Sequence, residues 1–363
     1  MQSILNKPHA RRDLILTIGA LAVLLFVVLN IPNWFDAYIE RIFNLSTIYA
    51  ICALSMNLIN GFTGLFTLGQ PGFMAIGAYV YALLTISPQT KQALYYVEPI
   101  VPWLADIQLN PWIAVIAAGI VAAFFAFLIG FPVLQLKGDY LAIASLGFAE
   151  IIRLLITNCQ SLTNGPSGLK SIPGILNVGL ALLILAIVTV LLLLLINSPY
   201  GRAYKAIRED EVAAGAVGVH LFRYKIQAFM ISGFMAGLGG ALLASVLGTI
   251  DPNQFKFTLV YQLLLMVILG GQGSVSGSIA GAFIITIGLE VLRFLDEPIN
   301  FGFFRYPGIS GMRMVVFSVI LMFILLFWKS GIFGDREFSW ERLLGSFQKK
   351  QSRKSGGKEE AAK

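Results

Sequence analysis

Long apolar stretches dominate this chain, and short polar segments separate them. Ten stretches have the length and composition of membrane-crossing helices. They lie near 14–32, 43–60, 64–87, 112–136, 140–158, 175–197, 226–248, 257–272, 275–295 and 312–329. About 20 mostly apolar helical residues cross a hydrocarbon core ~30 Å thick. The alternating segments of a membrane β-barrel are absent from the sequence. The pattern therefore predicts an all-α, polytopic helical membrane protein with about ten transmembrane helices.

Basic residues predict the orientation of these helices. The first apolar run follows Lys7, Arg11 and Arg12, and no small-residue cleavage site follows it, so we expect an uncleaved first span. With the N-terminus in the cytoplasm, 18 of the 26 lysines and arginines fall inside, seven fall outside and Arg153 falls within a span. The sequence thus predicts that both termini are cytoplasmic. The net charge of +7 then reflects membrane orientation and not nucleic-acid binding.

The polar segment 198–225 stands out because only 12% of the chain is charged. Its sequence is SPYGRAYKAIREDEVAAGAVGVHLFRYK, which carries charges of both signs around a helical run. A simple turn between two membrane helices does not need so many charges. We therefore expect this segment to be a cytoplasmic docking surface for a soluble partner, although a solvated loop helix is the alternative.

Several glycines interrupt the apolar pattern. The sequence GFTGLFTLGQPGF (61–73) predicts that the third span is broken, because four glycines and a proline disfavour one straight helix. Two interpretations stay open, a wall of a translocation path and a tight turn before a kinked helix. Elsewhere Gly273, Gly277 and Gly281 recur every four residues, as do Gly233, Gly237 and Ala241. Small residues at this spacing predict close helix packing.

Glu150 and Arg153 are charged residues inside the fifth predicted span. Charges within a membrane are costly and often functional, which makes both residues candidates for a translocation path. Residues three apart on a helix can also pair with each other, so a self-neutralising structural pair is the alternative.

The chain divides into two parts by composition. A transmembrane domain covers 1–334 and contains the polar segment 198–225. A basic cytoplasmic tail follows at 335–363, and we expect it to be partly disordered. Anionic lipid could attract this tail.

The sequence lacks the usual signatures of catalysis and metal binding. Two cysteines and two well-separated histidines form no metal motif, and GxxxxGK[ST] and HExxH are absent. We therefore predict no metal site, no catalytic residue and no bound cofactor. If transport uses ATP, another chain hydrolyses it.

Four blocks of sequence resemble those of a known family. The blocks are SMNLINGFTGLFTLGQPGFMAIGAYVYALL (55–84), LKGDYLAIASLGFAEIIRLLITN (136–158) with LTNGPSGL (162–169), SPYGRAYKAIREDEVAAGAVGVHLFRYK (198–225) and LLLMVILGGQGSVSGSIAGA (263–282). On them the chain resembles the LivM-type permease subunits of branched-chain amino-acid ABC importers. The resemblance implies a permease domain over 1–334 in a bacterial plasma (inner) membrane.

The resemblance also implies partners and a coupling site. Two ABC ATPase subunits would bind ATP and Mg²⁺, beside a sister LivH-type permease and an extracytoplasmic substrate-binding protein. The segment 202–218 then looks like the coupling helix, since it approximates the pattern EAA-x-x-x-G with one extra residue after the glutamate. The ATPase-coupling residues are expected to be Arg202, Arg208, Glu209, Asp210, Glu211, Ala213, Ala214 and Gly218.

A path for a zwitterionic amino acid calls for neutral polar side chains. The candidates are Asn57, Asn60, Thr63, Thr67, Gln70 and Ser145, beside Glu150 and Arg153. Each neutral residue could instead hydrogen-bond a neighbouring helix. Leucine, isoleucine and valine are the expected cargo, and a urea ABC importer permease or a stand-alone secondary transporter or channel is the alternative.

Overall fold

The computed structural model describes residues 36–96, 98–296, 299–300, 305–306 and 311–327. The predicted first span at 14–32 and the predicted tail at 335–363 lie outside these residues. Within them the chain is almost entirely helical, as the apolar pattern predicts.

Fourteen α-helices follow one another in the described part of the chain. They are α1 Ala37–Asn57, α2 Gln70–Thr85, α3 Pro88–Leu94, α4 Pro102–Ala105, α5 Pro111–Val133, α6 Asp139–Asn158, α7 Gln160–Thr163, α8 Val178–Asn197, α9 Pro199–Glu209, α10 Glu211–Ala216, α11 Leu221–Leu247, α12 Phe257–Gly270, α13 Val275–Val291 and α14 Met312–Phe327. A π-helical turn, Leu58–Thr63, extends α1, and 3₁₀ turns lie at Gly165–Ser167, Pro252–Phe255 and Leu292–Leu295. Two short antiparallel strands, β1 Ile299–Asn300 and β2 Arg305–Tyr306, pair with each other.

Six described helical segments are long and apolar enough to cross a membrane, or up to seven if a bent pair is counted. The six are Ala37–Thr63, Pro111–Val133, Asp139–Asn158, Val178–Asn197, Leu221–Leu247 and Val275–Leu295. The chain is therefore a multi-pass membrane protein. The predicted count of ten spans is not confirmed. At 1.5 Å per residue, α12 with 14 residues is only about 21 Å long, and the described part of α14 with 16 residues is about 24 Å long.

The third predicted span, 64–87, is not one straight helix, because the helix is interrupted both before and after α2. Residues 64–69 are not helical and lead into α2, which has only 16 residues. Beyond it, α2 and α3 meet at a bend of 117°. Gly64 ends the π turn with φ +73°, and Pro71 occupies the first turn of α2, where its missing N–H costs no helical hydrogen bond. The glycines and the proline thus interrupt the helix as predicted.

The close packing predicted from the small residues is confirmed within the helices, whereas Gly273 lies in the turn before α13. A Cβ atom on Gly277 would lie 2.3 Å from the carbonyl oxygen of Gly270, and one on Gly281 would lie 2.1 Å from that of Met266, which brings α12 against α13. On α11, a Cβ on Gly237 would lie 2.4 Å from the Cβ of Ala122 on α5. Glycine lets these backbones approach at distances that no other residue allows.

Turns gather at two opposite ends of the bundle. At one end, which we call the polar-loop end, the turns at 64–66 and 136–139 line a cavity of about 200 Å³ together with Glu211 and Lys225. At the other end, Leu169 and Ile250 exchange backbone hydrogen bonds of 2.9 Å, and Val101 N donates to the Ser161 carbonyl. Successive connections between the long helices therefore lie alternately at the two ends of the bundle. The predicted sequence of membrane-crossing helices requires this alternation.

Candidate functional site

The polar segment folds into two short helices and not one. Ser198 caps α9 by accepting hydrogen bonds from the backbone N–H groups of Tyr200 and Gly201. Asp210 then leaves the helical region, and its Oδ1 accepts from Val212 N at 2.8 Å and Ala213 N at 3.0 Å, so that it caps α10. Asp210, one of the predicted coupling residues, therefore lies at the bend between α9 and α10 and stabilises the start of α10.

One face of α9 anchors the segment to the bundle. Tyr204 and Ile207 are buried, whereas Arg202 and Lys205 are exposed. Burial raises the pKa of Tyr204 to about 12. The aromatic side chain fixes α9 against the bundle, and the charged face stays open.

The outer surface of α10 and its end is apolar. Val212 is 78% exposed and Val217 is 81% exposed, and Ala213 and Ala216 lie on the same open surface. Ala214 is buried against its own chain and so does not contribute to this surface. We call the surface formed by Val212, Ala213, Ala216 and Val217 the apolar knob. Gly218 turns the chain after α10 with φ +91°, as the sequence predicts.

Arg208 connects the polar segment to the rest of the bundle. Its Nη1 donates to the Gly61 carbonyl oxygen at 3.1 Å, and its Nη2 lies 2.7 Å from Glu209 Oε1. A Cβ on Gly64 would lie 2.9 Å from the Arg208 Cα, and one on Gly273 would lie 2.9 Å from its Nη1. Arg208 therefore sits where α9, the π turn and the turn before α13 meet.

Glu211 pairs with a buried lysine. Lys225 on α11 is 5% exposed, and its Nζ lies 2.6 Å from Glu211 Oε1. A buried charge needs an opposite charge close by, so this pair holds the start of α10 against α11. Glu209, in contrast, is largely exposed.

Asn57 is buried and bonds across the bundle to the start of α13. Its Nδ2 donates to the Ser274 carbonyl oxygen at 2.9 Å and to Ser278 Oγ at 2.7 Å, while its Oδ1 accepts from Gly273 N at 2.9 Å. The Asn57 amide therefore connects the end of α1 to the turn before α13. Arg208 contacts the same turn and the π turn from the polar segment.

Replacing Asn57 by alanine is expected to lower the free energy of unfolding by about 2 kcal/mol, since three hydrogen bonds of roughly 0.6 kcal/mol each are lost. Thermal unfolding of the purified protein in detergent measures the loss. Ser278→Ala is the control. It removes one of these bonds and the bond that Ser278 Oγ donates to the Ser274 carbonyl oxygen, so it is expected to cost about two thirds as much. Equal losses in the two variants would contradict a structural role for the whole amide.

The other neutral candidates bond mainly within the region around the non-helical segment 64–69. Asn60 bonds the backbone and side chain of Thr67, and Thr63 Oγ1 donates to the Leu58 carbonyl oxygen. Ser145 Oγ on α6 accepts from Leu68 N at 2.9 Å. These residues stabilise the interrupted backbone, and their predicted place along a translocation path stays a prediction.

Gln70 belongs to a polar cluster in the core that the sequence alone did not reveal. Its Nε2 donates to Ser232 Oγ at 2.7 Å, and its Oε1 lies 3.1 Å from Ser55 Oγ. Ser232 Oγ also donates to the Ser55 carbonyl oxygen at 2.8 Å. The cluster joins α1, α2 and α11. Single serines in apolar helices gave no signal for it, because the three residues are far apart in sequence.

Glu150 and Arg153 form the ion pair that their spacing allows, with Nε and Oε2 2.7 Å apart. At 3.6 residues per turn, Glu150 lies roughly 140° and Arg153 roughly 80° around the axis of α6 from Ser145, which faces the non-helical segment 64–69. The structure thus separates this pair from the other path candidates. Within the described ranges, no group of three His, Cys, Asp or Glu residues is placed to hold a metal ion.

Comparison with known proteins matches this architecture to one family. A family model described as "Branched-chain amino acid transport system / permease component" matches residues 38–327, which is most of the chain. The chain belongs to this family of transport permeases. No solved structure matches it.

Individual relatives carry related but different names. The chain is 36% identical over 287 residues to the high-affinity branched-chain amino-acid permease protein LivM of Escherichia coli, which covers 70% of this chain and 63% of that protein. It is 26% identical over 318 residues to a probable LivM of Methanocaldococcus jannaschii, covering 80% and 91%. It is also 32% identical over 198 residues to the autoinducer 2 import permease LsrC of Salmonella paratyphi B, covering 51% and 56%. The chain thus spans less than two thirds of the length of its Escherichia coli relative.

Proposed function

We propose that this chain is the permease subunit of an ABC importer that carries branched-chain or other neutral amino acids across a bacterial plasma membrane. The observation that carries the proposal is the apolar knob, which is exposed within the most charged segment of the described residues of a family member. An exposed apolar helix surface with charges around it suits insertion into a groove of a partner. The sequence has no phosphate-binding loop of its own, so an ATP-driven importer would need an ATPase as that partner.

In this proposal the polar-loop end faces the cytoplasm, and ten spans place both termini there. Two ATPase subunits bind ATP and Mg²⁺ and dock on the polar segment, one of them on this chain. A sister LivH-type permease completes the membrane part, and an extracytoplasmic substrate-binding protein delivers the cargo at the opposite end. Closure of the ATPase pair moves α9 and α10 as a unit, because Tyr204 and the Glu211–Lys225 pair fix both helices to the bundle.

Branched-chain amino acids are the favoured cargo, since the LivM relatives carry that substrate class in their names. The LsrC relative is named for autoinducer 2, so the relatives of this chain are named for more than one cargo. The neutral path candidates suit a solute without net charge. Urea is the less favoured alternative.

Uptake by the reconstituted importer tests the proposal. Vesicles that contain this chain, the sister permease and both ATPases, with the binding protein outside, are expected to accumulate leucine only when ATP is present inside. Excess valine should compete with leucine, and excess urea should not. Vesicles that contain this chain alone are the control, and they should accumulate nothing. Concentrative uptake by the lone chain would instead support a secondary transporter.

A further inference from the structure

A partly exposed ion pair lies in the middle of a membrane-crossing helix. Glu150 is the twelfth of the 20 residues of α6, and Arg153 follows one turn later. The side chains of Glu150 and Arg153 are 31% and 19% exposed. Both residues therefore reach the surface of the chain at a depth where lipid would surround an isolated helix.

The same side of α6 carries further polar character. Glu150, Arg153 and Thr157 recur at i, i+3 and i+7, which places them along one flank of the helix. Thr157 Oγ1 donates to the Arg153 carbonyl oxygen at 2.8 Å. Other outward positions of α6, such as Ile143 and Ile151, are apolar and exposed. A polar flank beside an apolar face distinguishes α6 from α8, whose exposed positions before its last residue, Asn197, are all apolar.

Lipid is an unsuitable environment for this flank. Charged residues within membrane helices face a protein interior or a water-filled cavity, because hydrocarbon does not solvate charge. The Glu150–Arg153 pair is neutral as a whole, but its exposed polar atoms still need water or another polar group. Within the described ranges the bundle leaves these atoms partly uncovered, so water, a solute or another polar group has to cover them in the membrane.

We propose that the Glu150–Arg153–Thr157 flank of α6 lines a water-accessible path and binds the charged groups of a zwitterionic solute. The carboxylate of Glu150 offers a partner to an ammonium group, and the guanidinium of Arg153 offers a bidentate partner to a carboxylate. The ammonium and carboxylate groups of a zwitterion can replace the Glu150–Arg153 contact with two new ion pairs, and the net charge in the middle of the membrane stays zero. Urea has no charged groups and cannot form these ion pairs.

This inference rests on the proposed function and narrows it to a substrate class and a pair of residues. Two experiments test it, and the first has a readout that does not depend on transport.

Water access is tested with Leu146→Cys in a Cys159→Ser background. Leu146 lies one turn before Glu150 on the same flank, Cys159 is exposed, and the chain's other cysteine, Cys52, is buried. Leu191→Cys on α8 is the matched control, at mid-helix and 61% exposed. A charged, membrane-impermeant methanethiosulfonate reagent should modify Leu146→Cys at least about tenfold faster than Leu191→Cys in the full importer, because thiols react as thiolates, which form in water. Leucine together with ATP should slow the reaction. Equal rates at the two positions would overturn the proposal.

Recognition of the zwitterion is tested with the neutral double variant Glu150→Gln/Arg153→Gln. The two amides can still bond each other, so the fold is retained, and the ATPase subunits should copurify as with the unchanged chain. Leucine uptake by the full importer is expected to fall at least about tenfold, since two charge-assisted contacts are lost. Glu290→Gln/Arg293→Gln, a pair with the same spacing on a different helical segment, should keep uptake.

The outcomes separate this inference from the proposed function. If the unchanged chain imports leucine and the Glu150→Gln/Arg153→Gln variant imports it equally well, the pair has only a structural role and the inference is wrong. If the unchanged chain in the full importer does not import leucine at all, the proposed function fails. The labelling of Leu146→Cys still reports whether α6 faces water in that case.

Discussion

Replacing Val212 and Val217 together by aspartate is expected to abolish ATP-driven uptake and to release the ATPase subunits from the membrane chain. These two residues form most of the apolar knob, and each is about four-fifths exposed, so the bundle loses no packing. Buried anchor residues at protein interfaces contribute about 2 kcal/mol or more each, so two such changes weaken association by roughly a thousandfold. Copurification of tagged ATPase subunits and leucine uptake by vesicles measure the effect.

Tyr96→Asp is the matched control for this prediction. Tyr96 is exposed to a similar extent, but it lies after α3 at the opposite end of the bundle. The control should retain both the ATPase subunits and ATP-driven uptake. The thermal unfolding of Val212→Asp/Val217→Asp should match that of the unchanged chain. ATPase subunits that remain bound to the double variant would show that the knob is not the docking surface.

Replacing Gly64 by alanine is expected to lower the free energy of unfolding by about 3 kcal/mol and to disturb the position of α9. Gly64 has φ +73°, a conformation that costs a residue with a Cβ about 1–2 kcal/mol. The new Cβ would also lie 2.8 Å from Arg208 Cγ and 2.9 Å from its Cα, and overpacking of this kind costs about 1–3 kcal/mol. A change of the Arg208 rotamer can relieve the contact with Cγ, but only a shift of the α9 backbone can relieve the contact with Cα. Thermal unfolding in detergent measures the loss.

Gly248→Ala separates the two contributions to this loss. Gly248 ends α11 with φ +68° and ψ −8°, close to the φ +73° and ψ +14° of Gly64. The nearest atom to its added Cβ is 3.9 Å away, which is an ordinary contact. This variant should therefore lose only the backbone contribution of about 1 kcal/mol. Equal losses in the two variants would contradict the close contact between Gly64 and Arg208.

Some predictions from the sequence held because they depend on local spacing. The small residues of α13 and α11 do pack closely, and Glu150 does pair with Arg153, because residues three or four apart share a helix face. The interruption near Gly64 followed from backbone preferences of glycine and proline. Asp210 was predicted as a coupling residue, and its role as the cap between two helices was missed, although aspartate before a helix is a known signal.

Other features depend on contacts that no local pattern contains. Asn57 meets Ser274 and Ser278, more than 200 residues away, and the Gln70–Ser55–Ser232 cluster joins three helices. The apolar knob includes Val212 and Val217 and excludes Ala214. The ion pair between Glu211 and Lys225 fixes the rotation of α10 about its axis, and this rotation determines which residues are exposed.

The sequence by itself determined the class of protein, a multi-pass helical membrane protein, and the family to which it belongs. Hydrophobic length and short-range spacing carry that information, since each helix satisfies its own backbone hydrogen bonds in the membrane. Only the tertiary structure decided which polar side chains bond inside the bundle and which remain open, because that choice depends on the mutual rotation and packing of helices distant in sequence. The partial exposure of the Glu150–Arg153 pair on α6 and the exposed surface of α10 are visible only in the tertiary structure.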